Sequence, residues 1–280
     1  MKFAFVTCIK IGLSCIESIY NSNGTLDLII TIPDNKAKKK SGRIYVDEFA
    51  KEHNIPVLKV NHINDLEAVQ AIKDYNIDWL FIIGWSQIAS ENVISAPNLG
   101  AIGAHPTLLP VGRGRAAIPW AIIKGLDKTG VTFFKMDIGV DTGLVLGQEV
   151  IPIEEYETAT TLYNKVNTAH EEFIKILYQK LKANEITALK QDESKATYWK
   201  GRNPQDGKIN NLISMSAVDR LVRATTIPYP GAFYIENNSK IIIWEGKMSA
   251  NKISNKAFFE IILQDGFYYA TNFESKLIID

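Results

Sequence analysis

The chain of 280 residues holds two cysteines, Cys8 and Cys15. They leave no room for a disulfide framework, and no Cys/His cluster has the spacing of a zinc site. An excess of either charge is missing too, since 31 basic and 31 acidic side chains cancel. Proteins whose main work is holding nucleic acid usually carry a clear basic surplus, so the balance speaks against that class of partner. No run approaches the roughly 18 apolar residues of a membrane-spanning helix. The amino-terminal apolar stretch, Phe3 to Val6, is too short for a signal-peptide core, and Lys10 keeps it from extending into the next apolar residues. The expectation is a soluble, cytoplasmic protein with no membrane partner. Two phosphate-cradling fingerprints are absent as well. The turn TCIKIGLS carries one glycine, Gly12, where G-x-G-x-x-G is required, and no P-loop G-x-x-x-x-G-K-[ST] occurs.

What the chain does have is an ordinary globular composition, 46% hydrophobic and 22% charged, enough to fill a core. Its first two thirds alternate strand and helix patterns. Phe3–Thr7, Leu26–Ile32, Pro56–Val60 and Trp79–Trp85 read as buried strands, with helices over Leu13–Tyr20, Tyr45–Glu52 and Leu66–Lys73 between them. That alternation predicts an α/β fold with a mostly parallel, Rossmann-like sheet. Further strands fall at Ala101–Ala104, Gly130–Met136 and Leu144–Ile153. A long helix over Thr160–Leu181 repeats Leu162, Val166, Ala169 and Phe173 at helical spacing. The Lys38–Lys40 run reads as a solvated loop. After Asn184 the apolar anchors thin out, so we expect a catalytic domain over 1–184, a connector over 185–204 and a small β-rich domain over 205–280. In that last part a helix over Ala217–Thr225 precedes a hairpin turning at Asn237–Ser239, then FFEIIL and SKLIID strands. Its IIIW and FFEIIL runs fit a homodimer surface and an intradomain sheet equally well.

The chemistry concentrates between Gly100 and Leu146. His105 ends an apolar strand and is followed by Pro106, at the carboxyl edge of a sheet where ligands bind. Asp141 ends a second strand and loop, FFKMDIGVD. Each has a bland reading: a capped strand-end histidine for one, an Asx turn for the other. Together they form a candidate acid–base pair.

HPTLLP, RGR, IPWAIIKG, TGVT and DTG succeed one another in an order that resembles the formyltransferase family that uses 10-formyltetrahydrofolate. The resemblance covers nearly the whole chain. RGRAAIPW, GRNPQDGKIN and VRATTIPYPGAF are similar to the branch that formylates the amines of nucleotide-linked sugars. It implies that His105 and Asp141 are catalytic, the aspartate orienting the imidazole. The family's third catalytic residue, an asparagine two positions before the histidine, falls on Gly103, which has no side chain to donate to an oxyanion. The substitute would be charged His105, a backbone N–H, a water, Gln87 or Thr107. The resemblance places 10-formyltetrahydrofolate as cosubstrate on Gln87, Ile88 and Arg115 and on the loop of Asp137, Ile138, Gly139, Val140 and Asp141, with no metal. For Arg115 alone, an ion pair bracing its loop is the alternative. Trp85 is open between ring stacking and core packing, and His170 reads as structural.

The implied activity is transfer of the formyl group to the amine of a nucleotide-linked amino sugar of the 4-amino-4,6-dideoxyhexose type, for surface-glycan biosynthesis. The sugar nucleotide's pocket would draw on Trp199, Arg202 and Tyr229. Other readings are compatible with the same motifs, formyltetrahydrofolate hydrolysis among them. Methionyl-tRNA formylation asks for a basic face that the charge balance does not offer. A non-catalytic folate or nucleotide-sugar binding protein would result if Gly103 marked a lost site.

Overall fold

A computed structural model of the chain describes residues 1–37, 44–255 and 257–278. The Lys38–Lys40 run and the last two residues of SKLIID lie outside them. The chain forms two compact units that interleave along it. One comprises Met1–Arg113, Gly130–Val150 and Val166–Tyr198; the other comprises Gly114–Thr129, Ile151–Lys165 and Trp199–Asp280.

The first half alternates as its patterns predict: β1 (Phe3–Val6), α1 (Lys10–Asn21), β2 (Leu28–Thr31), a turn α2 (Asp34–Ala37), α3 (Asp47–Glu52) and β3 (Val57–Lys59). Then come α4 (Leu66–Asp74), β4 (Trp79–Ile82), α5 (Glu91–Ile94) and β5 (Gly100–His105). The short β6 (Arg113–Gly114) and α6 (Ala117–Ile123) lead to β7 (Lys128–Lys135), β8 (Leu144–Pro152) and the long α7 (Ala159–Ala183).

Every residue of β1, β2 and β4 is buried, as in a sheet covered on both faces. The order is β3-β2-β1-β4-β5-β7-β8. Pairing is parallel from β3 through β5, and β7 then runs antiparallel to β5, setting Phe134 opposite Gly103 and Thr132 opposite His105. The chain order reverses between β1 and β4, so the carboxyl ends of the central strands frame the crevice in which such sheets hold ligands. Gly12 has a packing role there. A Cβ on it would lie 1.8 Å from the Thr7 hydroxyl and 2.9 Å from the Ile83 carbonyl. A larger residue would push α1 off the strand ends.

Some expectations shift. β4 stops at Ile82, because Gly84 turns the chain at φ +71°, so Trp85 lies past the strand and packs on the edge of the core. The IPWAII run is a helix that the pattern did not reveal. Its Pro119 sits in the first turn, where the missing N–H is not needed.

The second unit builds an antiparallel sheet in the order β10-β11-β13-β12, from β10 (Ala232–Glu236), β11 (Ser239–Ser249), β12 (Phe259–Leu263) and β13 (Gly266–Leu277). A helix, α8 (Met215–Thr225), packs on it through Val218 and Val222, and its first turn is capped by Ser214. The hairpin turns as expected at Asn237 and Asn238, both at positive φ. Ser275–Leu277 of the SKLIID segment are the end of one long strand, β13. Two residues complete a short pair with β6, as β9 (Tyr198–Trp199). No helix among the described residues is long and apolar enough to cross a membrane.

Helix α7 is tied to the first unit by polar groups buried in its apolar face. The Tyr178 hydroxyl donates to the Thr25 carbonyl and accepts from the Thr25 N–H, both at 3.0 Å. His170 is 2% exposed, its Nδ1 2.7 Å from the Val166 carbonyl, and it packs on Phe133. Burial, with a smaller contribution from nearby His105, pushes its imidazole down from 6.5 to about 4. The unfolded chain therefore binds more protons between those values, and His170 favours folding fully above pH 6.5 and progressively less as pH falls through 4. Lowering the pH from 7 to 5 is expected to remove about 2 kcal/mol of stability through this group. Urea unfolding of wild type and His170→Asn at both pH values checks it, since the variant should lose less; equal losses would mean that His170 is not the titrating group.

Candidate active site

His105 closes β5, and its position is set from both sides of the ring. Nε2 lies 2.8 Å from the Gly112 carbonyl, and Nδ1 lies 3.6 Å from Asp141 Oδ2. A carbonyl only accepts, so Nε2 carries the hydrogen and Nδ1 is the nitrogen left to take up or release a proton. When charged, the ring finds an acceptor at each nitrogen. His105 is 7% exposed, so these contacts act where water screens them little. The pair expected from the sequence is thus brought together.

Asp141 belongs to a tight loop after β7. Asp137 Oδ1 accepts from the Gly139 N–H at 3.1 Å and from the Thr142 hydroxyl at 2.6 Å. This Asx-type closure spends the Asp137 carboxylate on the loop itself and leaves Ile138 and Val140 exposed at its rim. Asp141 sits at φ +57°, in the left-handed region.

Gly103 shares the face of β5 that carries His105, two residues on. A Cβ there would meet the Phe134 ring at 3.0 and 3.2 Å and Met136 Cγ at 3.3 Å. A side chain at position 103 would crowd the buried Phe134 ring, which would have to give way by a few tenths of an ångström. Of the named substitutes for the missing donor, Gln87 is committed elsewhere. Its Nε2 donates to the Asn61 carbonyl and its Oε1 accepts from the Ile63 N–H, both at 2.9 Å. The Gln87 side chain thereby ties two loops together. Ile88 beside it is exposed, its carbonyl accepting from Asn64. Thr107 Oγ1, by contrast, is buried with no hydrogen-bond partner.

The bracing role that the sequence left open for Arg115 falls to Arg113. Arg113 is fully buried, and its Nη1 and Nη2 reach Glu193 at 2.9 and 2.6 Å and Nη1 reaches the Tyr198 hydroxyl at 2.9 Å. The Glu193 carboxylate holds the guanidinium's proton affinity above its ordinary value. Arg115 is exposed, its N–H on the Trp199 carbonyl at 3.1 Å. Within the second unit, Arg202 and Tyr229 line one cavity of about 150 Å³, with Pro119 and Pro230 among its walls. Arg202 stacks over Trp120 with its guanidinium 5.0 Å from the ring centre. Trp199 does not line that cavity. His53 packs on Tyr20 and Phe49, and His62 accepts from the Asn64 N–H, so neither joins a site. Among the described residues no group of three or more His, Cys, Asp or Glu side chains is placed to hold a metal ion.

The sequence is 28% identical over 253 residues to methionyl-tRNA formyltransferase from Lachnospira eligens, covering 90% of this chain and 80% of that protein. It is 32% identical over 247 residues to the bifunctional polymyxin resistance protein ArnA of Wigglesworthia glossinidia brevipalpis, covering 88% of this chain and 37% of that longer one. In fold it is similar to an N-formyltransferase from Helicobacter canadensis, crystallised with folinic acid and dTDP-3-aminofucose. The TM-score is 0.73 at 20% identity, over 96% of this chain and 98% of that one. The formyl transferase family model matches residues 14–177, and the model of the formyl transferase C-terminal domain matches residues 202–276. With the first model alone spanning more than half of its length, the chain belongs to the formyl transferase family.

Proposed function

We propose that the protein moves the formyl group of 10-formyltetrahydrofolate to the amine of a nucleotide-linked amino sugar, of the 4-amino-4,6-dideoxyhexose type. The observation that carries the chemistry is the His105–Asp141 pair, with one ring nitrogen fixed on the Gly112 carbonyl and the other facing a carboxylate. The cosubstrate supplies an activated formyl carbon. A C–N bond forms from the amine nitrogen, and the bond to the folate nitrogen breaks, the proton lost by the amine balancing the one that the folate nitrogen gains. His105 Nδ1 takes the amine's proton, and Asp141 accepts a hydrogen bond from the charged ring. Both N–H groups of the charged ring are taken by Gly112 and Asp141, so the developing oxyanion is met by a backbone N–H or by the Thr107 hydroxyl, which is buried and unpartnered.

Support for the donor lies in the Asp137–Asp141 loop, whose exposed apolar tips and tightly closed backbone suit the edge of a planar heterocycle. The Helicobacter canadensis neighbour, crystallised with folinic acid, points the same way. For the acceptor, support comes from the zero net charge, from the RGRAAIPW and GRNPQDGKIN segments, and from the dTDP-linked amino sugar held by that neighbour. The identity to a methionyl-tRNA formyltransferase keeps tRNA as the second reading. Offering purified protein the formyl donor with UDP- and dTDP-linked amino sugars and, separately, methionyl-tRNA decides between them. Formylation of the tRNA alone would overturn the sugar assignment.

His105→Asn and Asp141→Asn are each expected to lower kcat by at least about 100-fold in folded protein. Near-wild-type turnover in either removes the pair from the chemistry. Folinic acid at saturation is expected to raise the thermal midpoint by mass action, and no shift would remove the folate. Gly103→Asn has the sharpest expectation. Restoring the family's donor should not raise kcat, because its Cβ already presses on Phe134. A gain of roughly 100-fold, the value of one oxyanion donor, would instead mark the natural glycine as a lesion.

A further inference from the structure

The residues expected to be a connector make the most consequential contacts around the proposed catalytic pair. Gln191 is 6% exposed, and its amide is fully used. Oε1 accepts from Arg113 Nε at 3.2 Å and from Nη2 at 2.7 Å. Nε2 donates to the Asp141 carbonyl at 2.9 Å and to the Gly143 carbonyl at 2.8 Å. Arginine only donates, so the amide cannot be turned over, and its two N–H groups must face those carbonyls. With Glu193 and Tyr198 taking the rest, all five guanidinium N–H groups of Arg113 have acceptors.

We infer that Gln191 is a positioning residue for the formyl-transfer site, aimed by Arg113 at the backbone that carries Asp141. This rests on reading His105 and Asp141 as the catalytic pair. Asp141 needs such a hold. A non-glycine residue in the left-handed region costs about 1–2 kcal/mol, so its peptide relaxes unless something fixes it. One amide nitrogen pins the carbonyls on both sides of Thr142. The same segment fixes the other partner of the imidazole. Thr197 Oγ1 accepts from the Gly112 N–H at 2.8 Å, and the Thr197 carbonyl accepts from the Arg113 N–H at 2.9 Å. Gly112 is the residue whose carbonyl holds His105 Nε2. Gln191 and Thr197 thus stand behind the two acceptors of the histidine, and a backbone slip of about 1 Å at either would misplace the ring.

Gln191→Glu tests this because it keeps an oxygen for Arg113 and replaces the two donors with a carboxylate oxygen that the Asp141 and Gly143 carbonyls repel. We expect kcat to fall roughly tenfold to 100-fold with the KM for the amine within about twofold, in protein that unfolds cooperatively. Gln191→Met, which also abandons Arg113, should lose similar kcat and thermal stability besides. Adding Gln191→Glu to Asp141→Asn should cost no further kcat, since both act through one carboxylate. A folded Gln191→Glu with wild-type kcat, or losses that multiply in the double variant, would overturn the inference. If Gln191→Glu does not fold, Thr197→Val carries the test on the Gly112 side with the same kcat-selective loss expected, and wild-type kcat there overturns it. His105→Asn measured in parallel separates the two claims. An active His105→Asn defeats the catalytic pair itself, whereas an inactive one beside an unimpaired Gln191→Glu defeats only the positioning role.

Discussion

The buried guanidinium of Arg113 is the constraint on which the rest of the site depends. A charge with no exposure is tolerable only when its donors are matched, and here Gln191, Glu193 and Tyr198 match them all. The matching fixes the path of residues 191–198 along the loop after β5. Once that path is fixed, Thr197 meets Gly112, Gln191 meets the Asp141 turn, and the imidazole between them has one orientation. The order of dependence therefore runs from an arginine that touches no reacting atom to the histidine proposed to do so.

Much of the fold was legible because it rests on local patterns. Runs such as FAFV and WLFI are apolar throughout, which only a sheet covered on both faces explains, and the 25-residue α7 shows its apolar stripe over seven turns. The Asn237–Asn238 turn was legible because two residues at positive φ ask for asparagine or glycine. The missed parts each have a cause. α6 is too short for a helical period to register, and its Pro119 reads as a breaker. β13 hides behind its polar second half, NFESKL, which is exposed and carries no strand-like apolar run.

The site divides in the same way. His105 and Asp141 stood out because each sits next to a turn-forming residue at the end of an apolar run. Gln191 gave no such signal, since a glutamine in a polar stretch looks like any surface residue. Its importance comes from contacts across 78 positions to Arg113 and 50 to Asp141, and separation of that kind leaves no local pattern. Gln87 is a different case. Its position past β4 was informative, but the side chain's partners at Asn61 and Ile63 depend on a neighbouring strand end that no sequence window contains.

Position 103 shows why a missing motif residue does not by itself mean a missing activity. An asparagine there would have to share its face of the sheet with whatever β7 places opposite it, and β7 places Phe134. The ring is 4% exposed and in contact range of the absent Cβ, so the two residues form one packing unit. Glycine at 103 leaves room for the phenylalanine, and the phenylalanine closes the gap that glycine would otherwise leave beside a buried histidine. A void there would admit water against His105; a filled one keeps the environment of the ring dry and its two hydrogen-bonding directions unscreened. Gly103 and Phe134 therefore belong to one packed wall beside His105, so an asparagine at position 103 would have to displace that ring before it could offer a donor.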